Sequence, residues 1–281
     1  MSITEEDIRK QLSQTILPED DVVVVYSGLW MFGSLLGLAI KDIPDVLLNI
    51  FLDFLGHERT LLLPTYSYAY TSSRVYDLKR SRAESGVLPA HALSRKDFTR
   101  TMSPLNSYAV SGSRTDEILA VDDRTLWGDG SLMGWLDRVG ARICVLGEPW
   151  HMACTHFHRA EERLRVPYRY FKQFPGKMYD DGKYVKDVSP IMYVRPLNVE
   201  MDRDYTRVAP SMREKNFILS SNDEDFPLES ALAPDIVTSC EELLRANPLE
   251  YVGNPDDITE WIERGKMQEM DSMKPDERVE I

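Results

Sequence analysis

The sequence predicts an α/β fold in which helices flank a central mixed sheet that carries an inserted β-hairpin arm. A length of 281 residues and a hydrophobic fraction of 43% suit one large core. Apolar runs at 22–25 and 60–63 enclose a segment with helical spacing of apolar residues, which is the β–α–β order of a parallel crossover. Residues 166–197 alternate in character between Gly and Pro residues, a pattern typical of hairpin strands.

Local patterns assign the individual elements. Thr4 precedes three acidic residues, which is typical of a helix N-cap, so the first helix is expected to reach about Ile16. Periodicity and turn residues predict strands at 22–26, 60–63 and 141–147, a polar loop at 66–85, and helices at 43–56, 113–119, 132–139, 154–165, 235–246 and 257–270. We expect one domain over 1–281, with a core at about 20–165, the arm at about 166–197 and a C-terminal helical part at about 198–281.

The charge balance excludes some classes of partner. The chain has 46 acidic and 33 basic side chains, a net charge of −13, and an acidic surface repels phosphate backbones, so no nucleic-acid partner is expected. Basic side chains nevertheless cluster in one short segment, at Arg159, Arg163, Arg165, Arg169 and Lys172. A basic patch on an acidic protein suits an anionic ligand.

Cysteine usage and the N-terminal sequence predict a cytoplasmic location. The cysteines, Cys144, Cys154 and Cys240, are odd in number and widely spaced, which indicates a reducing compartment. The acidic N-terminus lacks the basic start and apolar run of a signal peptide. The apolar stretches are too short or too interrupted to span a bilayer, so no membrane partner is expected.

Histidines are concentrated directly after the third predicted strand, where sites in open α/β sheets collect. Thr155, His158 and Glu161 have the spacing i, i+3, i+6, so in a helix consecutive members lie close on one face. An imidazole beside a carboxylate is typical of a general base, although a purely structural His/Glu pair has the same spacing. The carboxylate that orients His158 is either Glu161 or another acid.

A zinc-dependent hydrolase is the alternative interpretation of this segment. His151, His156 and His158, with Cys154 and Glu161, are residue types that ligate zinc. The sequence contains no second metal-like cluster, which favours the general base, and no metal is expected. Ser27 and Gly28 follow the first strand, where exposed backbone amides bind anions or carbonyl oxygens.

Five blocks of this sequence match one known family in order. They are 24–33, 63–68, 85–88, 100–107, and Leu146-Gly147 followed by 155–161. Together they resemble the aminoglycoside 3-N-acetyltransferase family. The resemblance implies an acetyl-CoA donor (or another acyl-CoA), a small-molecule amine acceptor, direct transfer without a metal, and His158 as the base.

The resemblance also implies positions for the ligands. CoA contacts fall on Ser27, Gly28, Leu29, Gly33, Ser103 and Ser107, and acceptor contacts on Thr65, Tyr66, Tyr168, Arg169 and Lys172. Backbone amides near Gly28 would bind the oxyanion, with a hydroxyl from Thr155 or Ser107. An acyl-enzyme on Cys154 is a less favoured route, because free cysteine is usually a small buried hydrophobe.

The sequence departs from the family pattern at several positions, and one of them concerns the acceptor. Tyr26 replaces a histidine, Gly28 a serine and Ser103 a histidine, while Ala90 falls about where many members have glutamate. Because acids suit a polycationic aminoglycoside, we expect an amino sugar instead, free or nucleotide-linked. The segment 166–176 is similar to a branch associated with polysaccharide biosynthesis. A catalytically inactive binding module and a homodimer both remain open.

Overall fold

The computed structural model describes residues 3–29, 37–197, 199–221, 223–264, 277, 279 and 281. Its strands are β1 (Val22–Ser27), β2 (Thr60–Pro64), β3 (Val75–Asp77), β4 (Thr99–Arg100), β5 (Tyr108–Gly112), β6 (Arg142–Leu146), β7 (Tyr170–Gln173), β8 (Gly176–Asp180), β9 (Lys183–Val188), β10 (Ile191–Val194), β11 (Leu219–Ser220) and β12 (Leu228–Leu232). Its helices are α1 (Glu5–Thr15), α2 (Ile43–Leu55), α3 (Tyr70–Ser73), α4 (Val87–Ala92), α5 (Thr115–Leu119), α6 (Leu132–Arg138), α7 (Trp150–Ala153), α8 (Phe157–Arg163), α9 (Val208–Glu214), α10 (Ala233–Ala246) and α11 (Pro255–Glu263). None of the helices in these ranges is long and apolar enough to cross a membrane.

The main sheet is mixed and has the strand order β11-β12-β6-β1-β2-β5-β4. Strand β1 lies at its centre and pairs in parallel with β2 and β6, in a register that sets Val24 beside Leu62 and Ile143. Strands β5 and β12 lie on either side of the three parallel strands and run antiparallel to them. The predicted α/β class, with a mixed sheet between helices, is therefore confirmed.

Side-chain alternation along β1 divides the core into two layers. Val23 and Val25 pack in the layer that includes α1 and α2. Val24 and Tyr26 pack in the other layer, which includes α6 and α8. Successive side chains of a strand point to opposite faces, so a run that is buried throughout must be covered on both sides. Tyr26, at the end of the strand, consequently reaches the face that carries α8.

The predicted β-hairpin arm is present as β8 and β9, which pair antiparallel. Asp181 and Gly182 connect them in left-handed conformations, with φ of 49° and 80°, which is typical of a two-residue hairpin turn. The flanking strands β7 and β10 pair with each other. The predicted loop at 66–85 also contains α3 and the short strand β3, which pairs in parallel with β8. Three residues are too few to show a periodic pattern, and their strand conformation comes from the pairing itself.

The sequence predicts a helical C-terminal part, but the structure also contains two strands there. Strand β12 joins the main sheet beside β6, and β11 extends the edge. Glu229 and Ser230 interrupt the apolar character of β12, so neither alternation nor an apolar run marks it as a strand. The predicted helix at 235–246 is α10, and α11 accounts for the beginning of the one at 257–270. Gly33 and residues 265–276 lie outside the described residues.

Candidate active site

A cleft of about 670 Å³ opens beyond the carboxyl end of the parallel strands. Tyr66 and Tyr68 reach it from the segment after β2, and Thr155 and His158 from the start of α8. The arm contributes Met192, Val194 and Arg195 on and after β10, and the chain returns with Arg203 and Tyr205. Crevices at this edge of open α/β sheets are the usual position of ligand sites.

His158 lies in the first turn of α8 and faces this cleft. Its Nδ1 is 2.6 Å from Oε2 of Glu161, one turn further along the helix. The indole of Trp127 packs on the imidazole, with ring centroids 4.8 Å apart, and 18% of the His158 side chain is exposed. Because the ionised carboxylate only accepts, Nδ1–H is the donor in this pair. Nε2 is then the ring nitrogen that can accept a proton.

Glu161 is fully buried and stays ionised because several donors surround it. Tyr168 donates its hydroxyl to Oε1 over 2.9 Å, and Nε of Arg169 donates to the same oxygen over 2.9 Å. Burial acts to raise the pKa of Glu161, but the Arg169 guanidinium and the bonds from His158 and Tyr168 outweigh it and lower the pKa to about 2. The carboxylate is therefore charged near neutral pH, and it fixes the imidazole tautomer.

The pKa of His158 lies below its ordinary value. Burial is the largest cause, and the positive charges of Arg169 and Arg203 add to it, while Glu161 opposes the change. The imidazole is consequently neutral near pH 7, which is the protonation state that a general base needs.

A cluster of four hydroxyl groups lies beside the base. Thr155 Oγ1 is 2.9 Å from the Tyr26 hydroxyl and 2.8 Å from that of Tyr66, and Tyr108 completes the cluster 2.9 Å from Tyr66. Burial raises the pKa of Tyr26 to about 12, and that of Tyr66 also rises by burial, so both phenols remain protonated. Protonated phenols can donate to Thr155, which leaves the Thr155 proton free to turn toward the cleft.

A sequence profile of the family described as Aminoglycoside 3-N-acetyltransferase matches residues 30–242. The chain belongs to this family. Family membership makes it an acetyl-CoA-dependent N-acetyltransferase, as the sequence blocks predicted.

Solved structures show the same fold in other proteins. The apoenzyme of aminoglycoside acetyltransferase AAC(3)-IVa is 18% identical, covers 92% of this chain and 98% of its own, and has a TM-score of 0.72. AAC-IIIb in a binary complex with CoASH is 19% identical, with coverages of 88% and 97% and a TM-score of 0.74. The YokD protein from Bacillus subtilis is 17% identical, with coverages of 88% and 95% and a TM-score of 0.70. Among curated protein sequences, none gives a significant match.

The turn after β1 is predicted to bind CoA in this acetyltransferase. It does not offer all of the hydrogen-bond donors that were expected there. The Gly28 amide already donates to the Leu146 carbonyl over 2.8 Å, so it cannot also bind an oxyanion. A Cβ at this position would overlap the side chain of Glu148, which would have to move. The Ser27 hydroxyl is buried and has no hydrogen-bond partner among the described residues, which fits a group completed by a ligand. Leu29 follows, half-buried, at the end of this described segment.

Three further predicted ligand contacts belong to the protein interior. Thr65 and Ser107 are fully buried and bond to each other, and Ser107 also accepts from Arg100, which crosses to the Thr65 carbonyl. Ser103 is buried beside a separate depression that Asp123 also lines. The serine and arginine block at 100–107 therefore joins β2, β4 and β5. A polar residue in a family block can serve packing as well as binding, and the hydrogen bonds of Thr65 and Ser107 are of the first kind.

Some of the residues predicted to contact the acceptor line the cleft, and others lie behind it. Tyr66, Arg169 and Lys172 line the cleft, and Lys172 also pairs with Glu277. Tyr168 is fully buried behind Glu161 and does not line the cleft. Ala90 is exposed on α4 and likewise lies outside the lining.

Among the cleft residues that sequence reasoning missed are Trp127, Arg195, Arg203 and Tyr205. None of them falls within a quoted family block. The local signal that could have found Trp127 is its position as an aromatic residue directly before Gly128.

The histidines do not gather as a zinc site requires. His156 is fully buried, and its Nε2 lies 3.0 Å from Oδ1 of Asp137, which also pairs with Arg159. Within the described ranges, no group of three or more His, Cys, Asp or Glu side chains could hold a metal ion. Burial also raises the pKa of the Cys154 thiol to about 12, so the thiolate that an acyl-enzyme needs is scarce at neutral pH.

Proposed function

We propose that this enzyme acetylates the amine of an amino sugar, free or nucleotide-linked, with His158 as the general base. The observation that carries the proposal is the buried Glu161 carboxylate 2.6 Å from His158 Nδ1, at the wall of the cleft. It leaves Nε2 unprotonated on the side where an amine can approach. Solved relatives are described with CoASH and with sisomicin, which is consistent with a donor and an amine meeting in this fold.

The reaction is a direct transfer. The neutral amine attacks the thioester carbonyl carbon, a C–N bond forms, and the carbonyl oxygen becomes an oxyanion while His158 Nε2 takes the amine proton. The tetrahedral intermediate then collapses, the C–S bond breaks, and the CoA sulfur leaves with a proton returned from the imidazolium. The products are the N-acetylated amine and CoASH, and His158 is neutral again.

Thr155 supplies the hydrogen bond to the oxyanion in this proposal. Its Oγ1 lies 2.9 and 2.8 Å from the hydroxyls of Tyr26 and Tyr66, and with both phenols as donors its own proton is available to the developing charge. A positioned donor of this kind contributes about 10²–10³-fold to a rate. The Gly28 amide, already bonded within the sheet, is replaced in this role by the threonine.

The departures from the family pattern leave the base intact. Ser103, which replaces a histidine, lies outside the cleft lining, so its presence does not remove a group from the site. No observation therefore favours an inactive binding module. The assignment of amino sugars as acceptors rests on the residues that line the cleft and not on Ala90. No aspartate or glutamate is present among the described residues of this lining.

The test is a thiol-release assay with acetyl-CoA and two sets of acceptors. One set contains glucosamine and nucleotide-linked amino sugars, and the other contains gentamicin and sisomicin. We expect a higher kcat/KM for a member of the first set, with acetylation confirmed by mass. Efficient acetylation of the aminoglycosides alone would contradict the acceptor assignment, and release of thiol without an acetylated amine would contradict the transfer.

A further inference from the structure

We infer that Arg195 and Arg203 form a binding site for an anionic group, phosphate or carboxylate, on the acceptor. The inference rests on the proposed function, because it places the acceptor in the cleft beside His158. Its substance is that the enzyme selects amines that carry a negative charge, which is the opposite of the polycations for which the family is named.

Three guanidinium groups line the same cleft, and they differ in how their charge is balanced. Arg169 bonds to Glu161 over 2.9 Å and is almost fully buried. Arg195 is half-buried, and its guanidinium bonds to the carbonyl of Pro196 over 3.4 Å. In the described part of the chain, no carboxylate lies within ion-pair distance of Arg195 or Arg203. Two of the three charges therefore face the cleft without a protein counter-ion among those residues.

The uncompensated charges act on each other. Burial lowers the pKa of Arg195, and repulsion from Arg203 and Arg169 lowers it further. Like charges at close range are unfavourable, and a bound anion relieves this repulsion while it accepts charge-assisted hydrogen bonds from both side chains. Arginine is well suited to this role because its planar guanidinium matches phosphate and carboxylate oxygens in pairs.

The anion belongs to the acceptor, since Arg195 and Arg203 line the same cleft as the base His158. At the reacting atoms CoA presents an uncharged thioester, and its phosphates are separated from that end by the whole pantetheine chain. A negative charge next to the base must then come from the other substrate. The cationic surroundings also favour the neutral form of the acceptor amine, which is the nucleophilic form.

The test compares two acceptors that differ only in a phosphate group, glucosamine and glucosamine 6-phosphate. We expect the wild-type kcat/KM to be at least about tenfold higher for the phosphorylated sugar, because one charge-assisted hydrogen bond is worth that factor or more. Arg195→Gln and Arg203→Gln should each remove about 10- to 100-fold of kcat/KM for glucosamine 6-phosphate, so that the preference for this sugar over glucosamine falls by that factor or nearly so. Arg203→Lys, which keeps the charge, should recover part of the loss.

The control variant is Arg163→Gln, which removes the same charge from a side chain that pairs with Glu241 outside the cleft lining. It should leave kcat/KM for both sugars unchanged. Calorimetric binding of glucosamine 6-phosphate to the CoA-loaded protein provides a readout that does not depend on turnover, and Arg203→Gln should weaken it about tenfold or more.

The outcomes separate this inference from the function on which it rests. Binding of glucosamine 6-phosphate that is lost in both arginine variants, without turnover of either sugar, would support the anion site and contradict the proposed function. Turnover of both sugars with no preference for the phosphate would overturn the anion site alone. Equal losses for both sugars with weaker CoA binding would assign the arginines to the CoA phosphates, and would overturn the inference as well.

Discussion

Adjacent glutamates of α8 have opposite effects on stability, and exchanging each for glutamine tests the electrostatics of the site. Glu161 has its pKa lowered from 4.5 to about 2, because Arg169 and the bonds from His158 and Tyr168 outweigh burial. Glu162 has its pKa raised from 4.5 to about 7, chiefly by burial, and its Oε2 has no hydrogen-bond partner among the described residues. The two side chains are the same in chemistry and neighbours in sequence, so each is a control for the other.

The expected magnitudes follow from linkage between protonation and folding. Each pKa differs from 4.5 by about 2.5, and at about 1.4 kcal/mol per pH unit this corresponds to about 3 kcal/mol for each group. Glu161 has the lower folded pKa, so its contribution is present above pH 4.5 and is lost as the pH falls toward 2. Glu162 has the higher folded pKa, so it destabilises the fold progressively as the pH rises from 4.5 to 7.

Urea unfolding between pH 4.5 and 8.5 measures both effects. At pH 8 we expect Glu161→Gln to lose, and Glu162→Gln to gain, up to about 3 kcal/mol in the free energy of unfolding. At pH 4.5 the gain of Glu162→Gln should vanish, while the loss of Glu161→Gln should persist because Arg169 is left without its carboxylate. Two variants that shift stability in the same direction at pH 8, or a gain for Glu162→Gln that is independent of pH, would refute this reasoning.

Three further predictions concern the donor and the reacting groups. Acetyl-CoA at 100 times its Kd should add about 2.7 kcal/mol of stability and raise Tm by several degrees, and an unchanged Tm at millimolar concentration would exclude it as a ligand. Tyr26→Phe should lower kcat about 2- to 10-fold and leave KM for acetyl-CoA unchanged, because it removes one hydrogen bond to Thr155; an unchanged kcat would show that Tyr26 does not position the threonine. Cys154→Ser should acetylate at nearly the wild-type rate, and a trapped acetyl-thioester on the wild-type protein would overturn direct transfer.

The spacing of His158 and Glu161 was sufficient to predict their contact, because i, i+3 neighbours in a helix lie close together. The environment that gives this pair its properties was not predictable in the same way. Tyr168 and Arg169 reach Glu161 because the chain reverses at Arg165, whose φ of 51° is left-handed. Sequence alone gives no sign that a non-glycine residue adopts that conformation.

Long-range pairing limited the prediction of the fold in a similar way. The buried runs of β1, β2 and β6 are recognisable from local sequence because both of their faces are covered. Strand β12 is five residues long and gains its conformation from pairing with β6, which is distant in sequence. Arg195 and Arg203 reach the cleft through the path of the arm, which no local pattern determines.

The general base is tested most directly by the rate and pH profile of a His158→Ala variant, with His151→Ala as the control. Both side chains line the cleft, but only His158 bonds to Glu161. We predict that His158→Ala lowers kcat by about 10²–10⁴-fold with CoA affinity nearly unchanged, and that His151→Ala has a small effect. In the wild type, kcat/KM should fall as the pH drops through a limb below 6.5, since the pKa of His158 is lowered, and this limb should be absent from the variant. A His158→Ala enzyme that acetylates at the wild-type rate, or wild-type activity that chelators abolish, would contradict the assignment of His158 as the base.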